Sequence, residues 1–411
     1  MKNSNQGNFI EKESIFGPDN YKPLPVVLSK AKGVWVWDVD GKKYLDMMSA
    51  YSAVSHGHSH PELLKVLHEQ SSQLALTSRA FYTDTLGPYL ETITSLSNFD
   101  MALPMNSGAE AVETAIKAAR RWAYLSKKIE SDKAEIIVAD GNFHGRTTTI
   151  ISFSSDANSK NDFGPHTPGF VSVKFGSAKS IEEAINENTA AVLIEPIQGE
   201  GGIIVPPENF LPEVRDICTQ NNVLMILDEI QSGLGRTGKL FAFQHSNIQP
   251  DGLILGKALG GGFMPVSCFL ASKEVMQWLT PGSHGSTFGG NPLAAAIGKR
   301  SLELLEEENL IENSRVLGDF FKNALVDIKS NVIKEVRGKG LWIGAVIDPN
   351  YVSGKDLSKL LLNEGILCKE THETVIRFAP PLVITKEEIK WALEIITSVL
   401  TEIENKTTIS K

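Results

Sequence analysis

The feature that most constrains this chain is a series of short apolar runs, each of strand length, between residues 85 and 290. Helix-length segments separate the runs, which lie at 136–139, 171–175, 190–194, 223–227 and 253–255. Continuous apolar runs are typical of strands buried on both faces, and their alternation with helices is typical of βαβ units. We therefore predict an α/β protein, with a mostly parallel sheet flanked by helices in a large domain over residues 85–290.

The regions on either side have a different pattern and are predicted to belong together. Residues 1–84 begin with a polar arm and continue into alternating strands that turn at Asp40-Gly41, a strong hairpin signal. Residues 291–411 combine long helical patterns with short strands. We expect this C-terminal region to form a smaller α+β domain, completed by the N-terminal strands.

Two of the apolar runs lead into charged residues of opposite sign. LMILDEIQSG carries Asp228 and Gln231, and LILGKALGGG carries Lys257. Ligands bind at the carboxyl ends of strands in open α/β sheets, so these side chains are expected at one edge. Pyridoxal phosphate needs a lysine for its Schiff base and an acid against its pyridine nitrogen. Lys257 and Asp228 are therefore the candidate catalytic residues, and Gln231 is a candidate donor to the phenolic oxygen of the cofactor.

A cofactor phosphate also needs a binding site, and the segment MNSGAEAVETAIKAARRW is the candidate. Ser107, Gly108 and Ala109 open a strongly amphipathic helix, whose first amides and dipole favour an anion. The same residues also fit an ordinary capping box, and the two interpretations are compatible. Ser286 and Thr287, in the Gly-rich segment HGSTFGGNP, are candidates for further phosphate contacts.

An aromatic residue and two arginines complete the predicted site. Phe143, in GNFHGR, can stack on the cofactor ring, and Arg146 can bind a substrate carboxylate with its planar fork. Arg377, in VIRFAPP, stands in a partly apolar setting, where an arginine usually meets a carboxylate.

Two other motifs suggest competing functions. GLGRTGK (233–239) has the spacing of a dinucleotide fingerprint and of a Walker A loop, but Leu240 stands where Walker A needs Ser or Thr. HGHSH (56–60) resembles a metal cluster, yet it lacks a Cys or carboxylate at ligand spacing, and Pro61 follows at once. We expect no nucleotide at the first motif and a turn without a metal at the second.

Composition limits the compartment and the partners. The 411 residues carry 40 basic and 49 acidic side chains, a net charge of -9, which argues against binding nucleic acid. Three widely spaced cysteines fit neither a disulfide framework nor a zinc knuckle, which favours a reducing compartment. The sequence shows no signal peptide and no membrane span, so we expect a cytoplasmic protein without membrane association.

With these residues identified, the chain resembles the fold-type I, class III aminotransferases, which depend on pyridoxal phosphate. The likeness covers residues 16–403 and extends through SAYSAVSHGHSHP, TSRAFY, LPMNSGAEAVETA, GNFHGR, EPIQGEGG, DEIQSGLGRTG, LGKALGGG, HGSTFGGNP and RFAPPLVI. TSRAFY and SAYSAV are typical of the ornithine δ-aminotransferase branch. Acetylornithine and 4-aminobutyrate aminotransferases share the cofactor motifs but differ in these two segments.

For the cofactor, the resemblance implies the same roles for Lys257 and Asp228 that the strand ends predict. Further residues match its contacts with the ring, the phenolic oxygen and the phosphate, namely Phe143, Gln231, Gly108 and Ala109. Thr287 matches a residue that reaches the phosphate bound by the neighbouring subunit. The resemblance therefore implies a homodimer with active sites at the interface.

For the substrates, the resemblance implies five contacts. Tyr51 and Tyr82 match tyrosines that hold the α-end of ornithine, and Arg146 matches the arginine that binds a carboxylate. Glu200 and Arg377 match a switch pair, in which the glutamate neutralises the arginine while ornithine is bound. The arginine is then released for the α-carboxylate of 2-oxoglutarate.

The expected reaction is transfer of the δ-amino group of L-ornithine to 2-oxoglutarate, within arginine degradation or proline synthesis. Its products are glutamate and glutamate 5-semialdehyde, which cyclises to pyrroline-5-carboxylate. Three alternatives remain at this point. They are the same chemistry on N-acetylornithine or another ω-amine, a nucleotide-binding protein based on GLGRTGK, and a cofactor-binding homologue without activity.

Overall fold

The computed structural model describes residues 5–409, so residues 1–4 of the predicted N-terminal arm and residues 410–411 of the predicted C-terminal domain lie outside the described residues. The strands are β1 (Leu28–Lys32), β2 (Trp35–Asp38), β3 (Lys43–Asp46), β4 (Met101–Met105), β5 (Glu135–Ala139), β6 (Phe170–Val173), β7 (Thr189–Ile194), β8 (Leu224–Asp228), β9 (Gly252–Leu255), β10 (Ser267–Ala271), β11 (Ile333–Lys339), β12 (Trp342–Ile347), β13 (Ile366–Leu367), β14 (Lys369–Thr371) and β15 (Val375–Phe378).

The helices are α1 (Asn5–Phe16), α2 (Ser49–Ser52), α3 (Pro61–Gln73), α4 (Leu86–Ser97), α5 (Gly108–Trp122), α6 (Thr148–Ile151), α7 (Ala157–Lys160), α8 (Ala178–Ala184), α9 (Phe210–Gln220), α10 (Lys273–Met276), α11 (Pro292–Glu307), α12 (Leu310–Asp327), α13 (Gly354–Asn363) and α14 (Lys386–Ile409). Helical turns of other pitch lie at Ala123–Lys127, Ala242–Ser246 and Lys257–Gly260. Across the described residues, none of these helices is long and apolar enough to cross a membrane.

A seven-stranded sheet forms the centre of the described structure, with strand order β4-β10-β9-β8-β7-β5-β6. The strands from β9 to β6 are parallel, whereas β10 pairs antiparallel with both β4 and β9. The predicted α/β class with a mostly parallel sheet is therefore confirmed. The apolar runs miss β4 and β10. β4 contains Pro104 and begins at the exposed Met101, as an edge strand can.

Two smaller sheets have the orders β1-β2-β3-β13 and β11-β12-β15-β14. The predicted hairpin is present, since β2 and β3 pair antiparallel and Gly41 takes a positive φ of 88° in the turn. β13 joins this sheet from the C-terminal region by parallel pairing of Ile366 with Leu45. The N-terminal strands and the C-terminal region thus share a sheet.

The N-terminal segment predicted as an arm is helical from residue 5 onwards, in α1. Gln6 ties this helix to the hairpin, because its amide nitrogen donates to Asp40 at 2.8 Å and its oxygen accepts the Val27 N–H at 3.1 Å. These contacts join residues far apart in the sequence, so the local pattern does not reveal them.

HGHSH forms the predicted turn, and α3 begins at Pro61. The three histidine side chains form hydrogen bonds with different partners. His56 bonds to the Ser301 carbonyl, His58 to Asp46 and His60 to Glu308. Packing and hydrogen bonding therefore account for this motif.

The motif GLGRTGK is a packing element. Arg236 is 0% exposed. Its guanidinium donates to four oxygens, those of the Leu341 and Pro380 carbonyls at 2.9 and 2.6 Å and of the Ser49 and Ser55 hydroxyls at 3.2 and 3.0 Å. A Cβ on Gly238 would lie 2.9 Å from the Cα of Arg315, which explains a glycine there. The motif connects the large sheet to both terminal regions.

We predict that Arg236→Met lowers the free energy of unfolding by about 3 kcal/mol or more, because four buried acceptors lose their donor. Urea denaturation followed by tryptophan fluorescence measures the change. Lys239→Met, at an exposed position of the same motif, is the matched control and should change the stability by less than about 0.5 kcal/mol. Equal midpoints for the two variants would contradict the structural role of Arg236.

Candidate functional site

Asp228 and Lys257 come from neighbouring strands of the central sheet. β8 ends at Asp228 and β9 ends at Leu255, and the parallel pairing sets Asp228 opposite Ile254. Lys257 therefore leaves the sheet beside the carboxylate, at the edge where ligands bind. Its φ of 46° lies in the left-handed region, at the start of a 3₁₀ turn. Backbone strain of this kind is concentrated at functional sites.

These two side chains line a common cavity of about 200 Å³. Other predicted cofactor residues in its wall are Gly108, Ala109, Phe143 and Gln231. A second cavity of about 850 Å³ shares Phe143 and Lys257 with the first, and its wall includes Tyr51, Arg146 and Glu200. The structure therefore brings most of the predicted residues together around two cavities that meet at Phe143 and Lys257.

Burial lowers the pKa of the Lys257 amine below its ordinary value, although the carboxylates of Glu200, Asp228 and Glu195 act in the opposite direction. A lowered pKa increases the unprotonated fraction at neutral pH, and the unprotonated amine is the nucleophile. The amine is therefore suited to form a covalent bond with an aldehyde.

Asp228 is held by a histidine that the sequence analysis does not include among the site residues. Nδ1 of His144 lies 2.7 Å from Oδ2 of Asp228, and both side chains are buried. Oδ1 of Asp228 accepts the Ile230 N–H at 3.0 Å. Burial lowers the pKa of His144, but the hydrogen bond and the charge of Asp228 raise it above its ordinary value overall. His144 therefore orients the Asp228 carboxylate, and the one signal of His144 in the sequence is its place beside Phe143 in GNFHGR.

A second acid, Glu195, lies buried in the wall of the smaller cavity and is also missed by the sequence analysis. Its two carboxylate oxygens accept the N–H of Phe143 at 3.0 Å and of Gly199 at 3.3 Å. Burial raises the pKa of Glu195 to about 7, and the nearby His144 opposes that rise. Glu195 therefore fixes the backbone that carries the predicted stacking ring. Its signal in the sequence is its position directly after the run 190–194.

The N-terminus of α5 is a capping box, as the sequence predicts. The Ser107 hydroxyl accepts the Glu110 N–H at 3.2 Å, and the Glu110 carboxylate accepts the Ser107 N–H at 2.7 Å. The amides of Gly108 and Ala109 are the next donors at the positive end of the helix. A Cβ on Gly108 would lie 2.8 Å from Cδ1 of Ile230, so a larger residue here would have to displace the end of that side chain where the helix approaches the cavity.

Arg377 and Glu200 form an ion pair at the larger cavity, with 2.6 Å between Nη1 and Oε1. Arg377 stands within β15, is 5% exposed, and lies 4.9 Å from the centre of the Tyr51 ring. The Thr371 hydroxyl donates to the Glu200 carbonyl at 2.8 Å, which anchors the segment that carries the acid. The charge of the buried arginine is therefore compensated by a glutamate side chain that is 29% exposed.

Tyr51 is presented by an unusual turn of the backbone. The four residues of α2 have positive φ values between 43° and 73°, and each such residue costs of the order of 1 kcal/mol. The Ser49 hydroxyl donates to the Ala379 carbonyl at 2.7 Å and accepts from Arg236 at 3.2 Å, so the turn is held by distant segments. Burial raises the pKa of Tyr51, with Arg377 opposing, and the hydroxyl stays protonated and able to donate.

The remaining predicted residues lie at or beyond the edge of these cavities. The Arg146 guanidinium is largely exposed and lies 3.8 Å from a carboxylate oxygen of Asp156. Tyr82 is fully exposed, and Thr287 is exposed as well. In the described part of the chain, neither these two nor Ser286 line the two cavities. A single chain thus leaves Tyr82 and Thr287 apart from the rest of the predicted site, whereas Ser286 accepts a hydrogen bond from the Asn106 amide at 2.9 Å, next to Ser107.

The arrangement around the smaller cavity fits pyridoxal phosphate. The buried Asp228 carboxylate, oriented by His144, can pair with a protonated pyridine nitrogen, and a lysine with a lowered pKa can bond to an aldehyde. The first amides of α5 can bind a phosphate, and Gly108 leaves space there beside the Ile230 side chain.

Comparison with known proteins agrees with this geometry. The family described as aminotransferase class-III matches residues 16–400. The ornithine aminotransferase of Staphylococcus carnosus strain TM300 is 55% identical over 392 residues, which cover 95% of this chain and 98% of the relative. A structure of the ornithine aminotransferase of Toxoplasma gondii, described with partial occupancy of PLP at its active site, has a TM-score of 0.97 at 42% identity and covers 98% of this chain and 96% of that one. The acetylornithine aminotransferase of Elizabethkingia anophelis has a TM-score of 0.89 at 46% identity, and 97% of this chain and 100% of that one are covered.

Proposed function

The chain belongs to the class III aminotransferases, and from that premise we propose that it is an ornithine aminotransferase dependent on pyridoxal phosphate. The proposed reaction passes the δ-amino group of L-ornithine to 2-oxoglutarate and yields glutamate and glutamate 5-semialdehyde, which cyclises to pyrroline-5-carboxylate. The observation that carries the proposal is the closed pair of Glu200 and Arg377 beside Tyr51. That arrangement suits one pocket that must accept two substrates of different charge.

The residues of the smaller cavity would bind the cofactor. When bound, pyridoxal phosphate supplies an electron sink for the carbon that carries the amine. Asp228, oriented by His144, would pair with the pyridine nitrogen, and Gln231 would donate to the phenolic oxygen. Lys257 would bind the aldehyde and then move a proton as the general base, for which its lowered pKa is suited. Phe143 would stack on the ring.

The larger cavity would hold ornithine by its α-end. Tyr51 and Arg146 line this cavity and would bind the α-carboxylate, while Tyr82 would complete the contact from an interface. The aliphatic chain and the δ-amine would then extend toward Lys257. Because Glu200 compensates Arg377, the chain meets no unpaired positive charge on the way.

In the second half-reaction the same pocket would accept a diacid. If Glu200 turns away, Arg377 becomes available for the α-carboxylate of 2-oxoglutarate, and Arg146 can bind the distal one. An arginine left unpaired in a buried position would be costly while ornithine is bound. A movable acid therefore allows the arginine to serve one substrate without harming the binding of the other.

A competition assay tests the proposed substrate. Ornithine, N-acetylornithine and 4-aminobutyrate are offered together with 2-oxoglutarate, and glutamate 5-semialdehyde is measured against the other aldehydes, with Lys257→Ala as the inactive blank and the exposed Lys65→Ala as the matched control. We expect ornithine to be preferred by about tenfold or more, because donors and acceptors for a free α-amino acid would be left unpaired by the others. A preference for N-acetylornithine, the substrate named for the relative from Elizabethkingia anophelis, would overturn the substrate and leave the family unchanged.

Glu200→Gln tests the switch. The substitution leaves the charge of Arg377 uncompensated, so the rate of the ornithine half-reaction should fall about tenfold or more, while the glutamate half-reaction should change by less than about threefold. Single-turnover absorbance changes with each amino acid measure the two rates separately. Glu187→Gln, at an exposed position, should alter neither. A larger loss with glutamate than with ornithine would refute the switch.

We propose that the active enzyme is a homodimer. Phe81, Tyr82 and Phe288 are exposed aromatic side chains. The segments that carry them approach each other at Gly290, where a Cβ would lie 3.0 Å from Nη1 of Arg79. Clustered exposed aromatic residues mark an interaction surface. A second copy on this surface would cover these residues and bring Thr287 toward the phosphate of its neighbour.

Mixing two inactive variants tests the dimer. Lys257→Ala removes the lysine, and Thr287→Glu places a carboxylate against the phosphate. If Thr287 acts on the partner subunit, one site of each mixed dimer is intact, and random mixing should restore about a quarter of the wild-type activity. If Thr287 acts on its own subunit, no mixed dimer has an intact site, and the activity stays at zero.

We also propose that the protein is cytoplasmic. We propose further that its domains are an N-terminal region of residues 1–84, a large domain 85–290 and a small domain 291–411. The three free, buried cysteines support a reducing compartment, and the separate seven-stranded and four-stranded sheets support the division. Cell fractionation and limited proteolysis test these two assignments. Cleavage within the central sheet before the proposed boundaries would contradict the division.

A further inference from the structure

Polar side chains along α5 form hydrogen bonds to the segment 280–290, which contains Ser286 and Thr287. Arg121 of the helix donates to the Thr280 hydroxyl at 3.3 Å, and Lys117 donates to the Ser283 carbonyl at 3.3 Å. At the other end of the segment, Asn106 donates to the Ser286 hydroxyl at 2.9 Å. The segment therefore runs antiparallel to α5, and its later residues lie at the end of the helix that would bind the phosphate.

His284 makes the central contact between this segment and α5. Its Nε2 lies 2.8 Å from the Thr114 hydroxyl, and its Nδ1 lies 2.9 Å from the Lys117 ammonium. Thr114 and Lys117 are three residues apart on one face of the helix, so a single imidazole ring reaches both. Both ring nitrogens of His284 are thus engaged with α5.

The protons of this cluster can be assigned from the donors and acceptors. The Thr114 hydroxyl donates to the Glu110 carbonyl at 2.7 Å, so it can only accept from His284. The Lys117 ammonium has no acceptor lone pair, so it can only donate to Nδ1. His284 must therefore be the neutral tautomer with its proton on Nε2.

The charges around the ring favour the same neutral form. Burial and the Lys117 ammonium lower the pKa of His284, and Glu110 on the same helix opposes them. The segment 280–290 itself has no other ionisable side chain. Protonation of Nδ1 would set an N–H against an ammonium and break the contact with Lys117.

Ser286 connects the contact between His284 and α5 to the binding of a phosphate. Its oxygen accepts the Asn106 amide at 2.9 Å and the Gly289 N–H at 3.1 Å, so the hydroxyl proton is its remaining capacity. A hydroxyl held with its proton outward beside the N-terminus of a helix can donate to a phosphate. Its position depends on the segment that His284 ties to α5.

We propose that neutral His284 is a positioning residue that holds the segment 280–290 on α5, so that Ser286 stands beside the phosphate site of that helix and Thr287 faces the phosphate bound by the neighbouring subunit. The inference deepens the proposed function and rests on it for the presence of pyridoxal phosphate. His284 lies outside the walls of the two described cavities, so in this proposal it acts through the two hydroxyl residues.

Comparing a ligand with and without its phosphate separates this role from a general structural one. Apoenzyme is titrated with pyridoxal phosphate and with pyridoxal, and binding is followed by quenching of tryptophan fluorescence. His284→Ala and Lys117→Met should each raise the Kd for pyridoxal phosphate about tenfold, the scale of one charge-assisted hydrogen bond, and change the Kd for pyridoxal by less than about twofold. His68→Ala, at an exposed position on α3, is the control and should change neither. Equal losses for the two ligands, or no loss for pyridoxal phosphate, would overturn the proposal.

The pH dependence gives a second test, with a sign fixed by the neutral ring. The contact is intact above the pKa of His284 in the folded protein and is lost as the pH falls through it. The wild-type Kd for pyridoxal phosphate should therefore rise toward acid more steeply than that of His284→Asn, which keeps an acceptor for Lys117 and does not titrate. Parallel profiles for the two proteins would count against the proposal. These measurements use no amino-acid substrate, so failure of the ornithine assignment would leave them unchanged.

Discussion

The parallel pairing of β8 with β9 is the constraint on which the site depends. It sets Asp228 opposite Ile254, three residues before Lys257, so the acid and the amine leave adjacent strands at one edge. A slip of one residue would turn either side chain to the opposite face of the sheet. Every residue of both strands is buried, and apolar packing on both faces holds the register. The geometry of the candidate site therefore follows from the packing of the sheet.

The described chain balances its buried charges in different ways, and the differences separate structure from function. Asp228 is stabilised by His144, and Arg236 is surrounded by carbonyl and hydroxyl oxygens that are fixed in the fold. Arg377 instead depends on the side chain of Glu200, which stands at the wall of a cavity. A carboxylate of a substrate can replace a carboxylate of the protein with little change in the local charge. Only a pair in such a position can be opened by a ligand without exposing the core.

Local patterns predict the parts of the molecule that depend on near neighbours in the sequence. The parallel strands of the central sheet and the capping box of α5 follow from their own residues. His144 and Glu195 are missed, because their partners lie 84 and 52 residues away and such pairings leave no periodic trace. The roles of Tyr82 and Thr287 in the site stay predictions, since both side chains are exposed on the surface of the single chain. In each case, prediction from the sequence is limited by the separation along the chain, or between chains, of a residue and the group it contacts.

The turn at α2 has a consequence for redesign. Tyr51 takes its place from a left-handed backbone that is strained on its own and is held by Arg236 and the Ala379 carbonyl. The position of Tyr51 thus depends jointly on segments more than 300 residues apart. A chimera that exchanges the N-terminal segment alone would transfer the tyrosine without the support that aims it. Segments 48–56 and 379–382 support each other, so we expect a chimera of two relatives to keep the position of Tyr51 only where both segments come from the same parent.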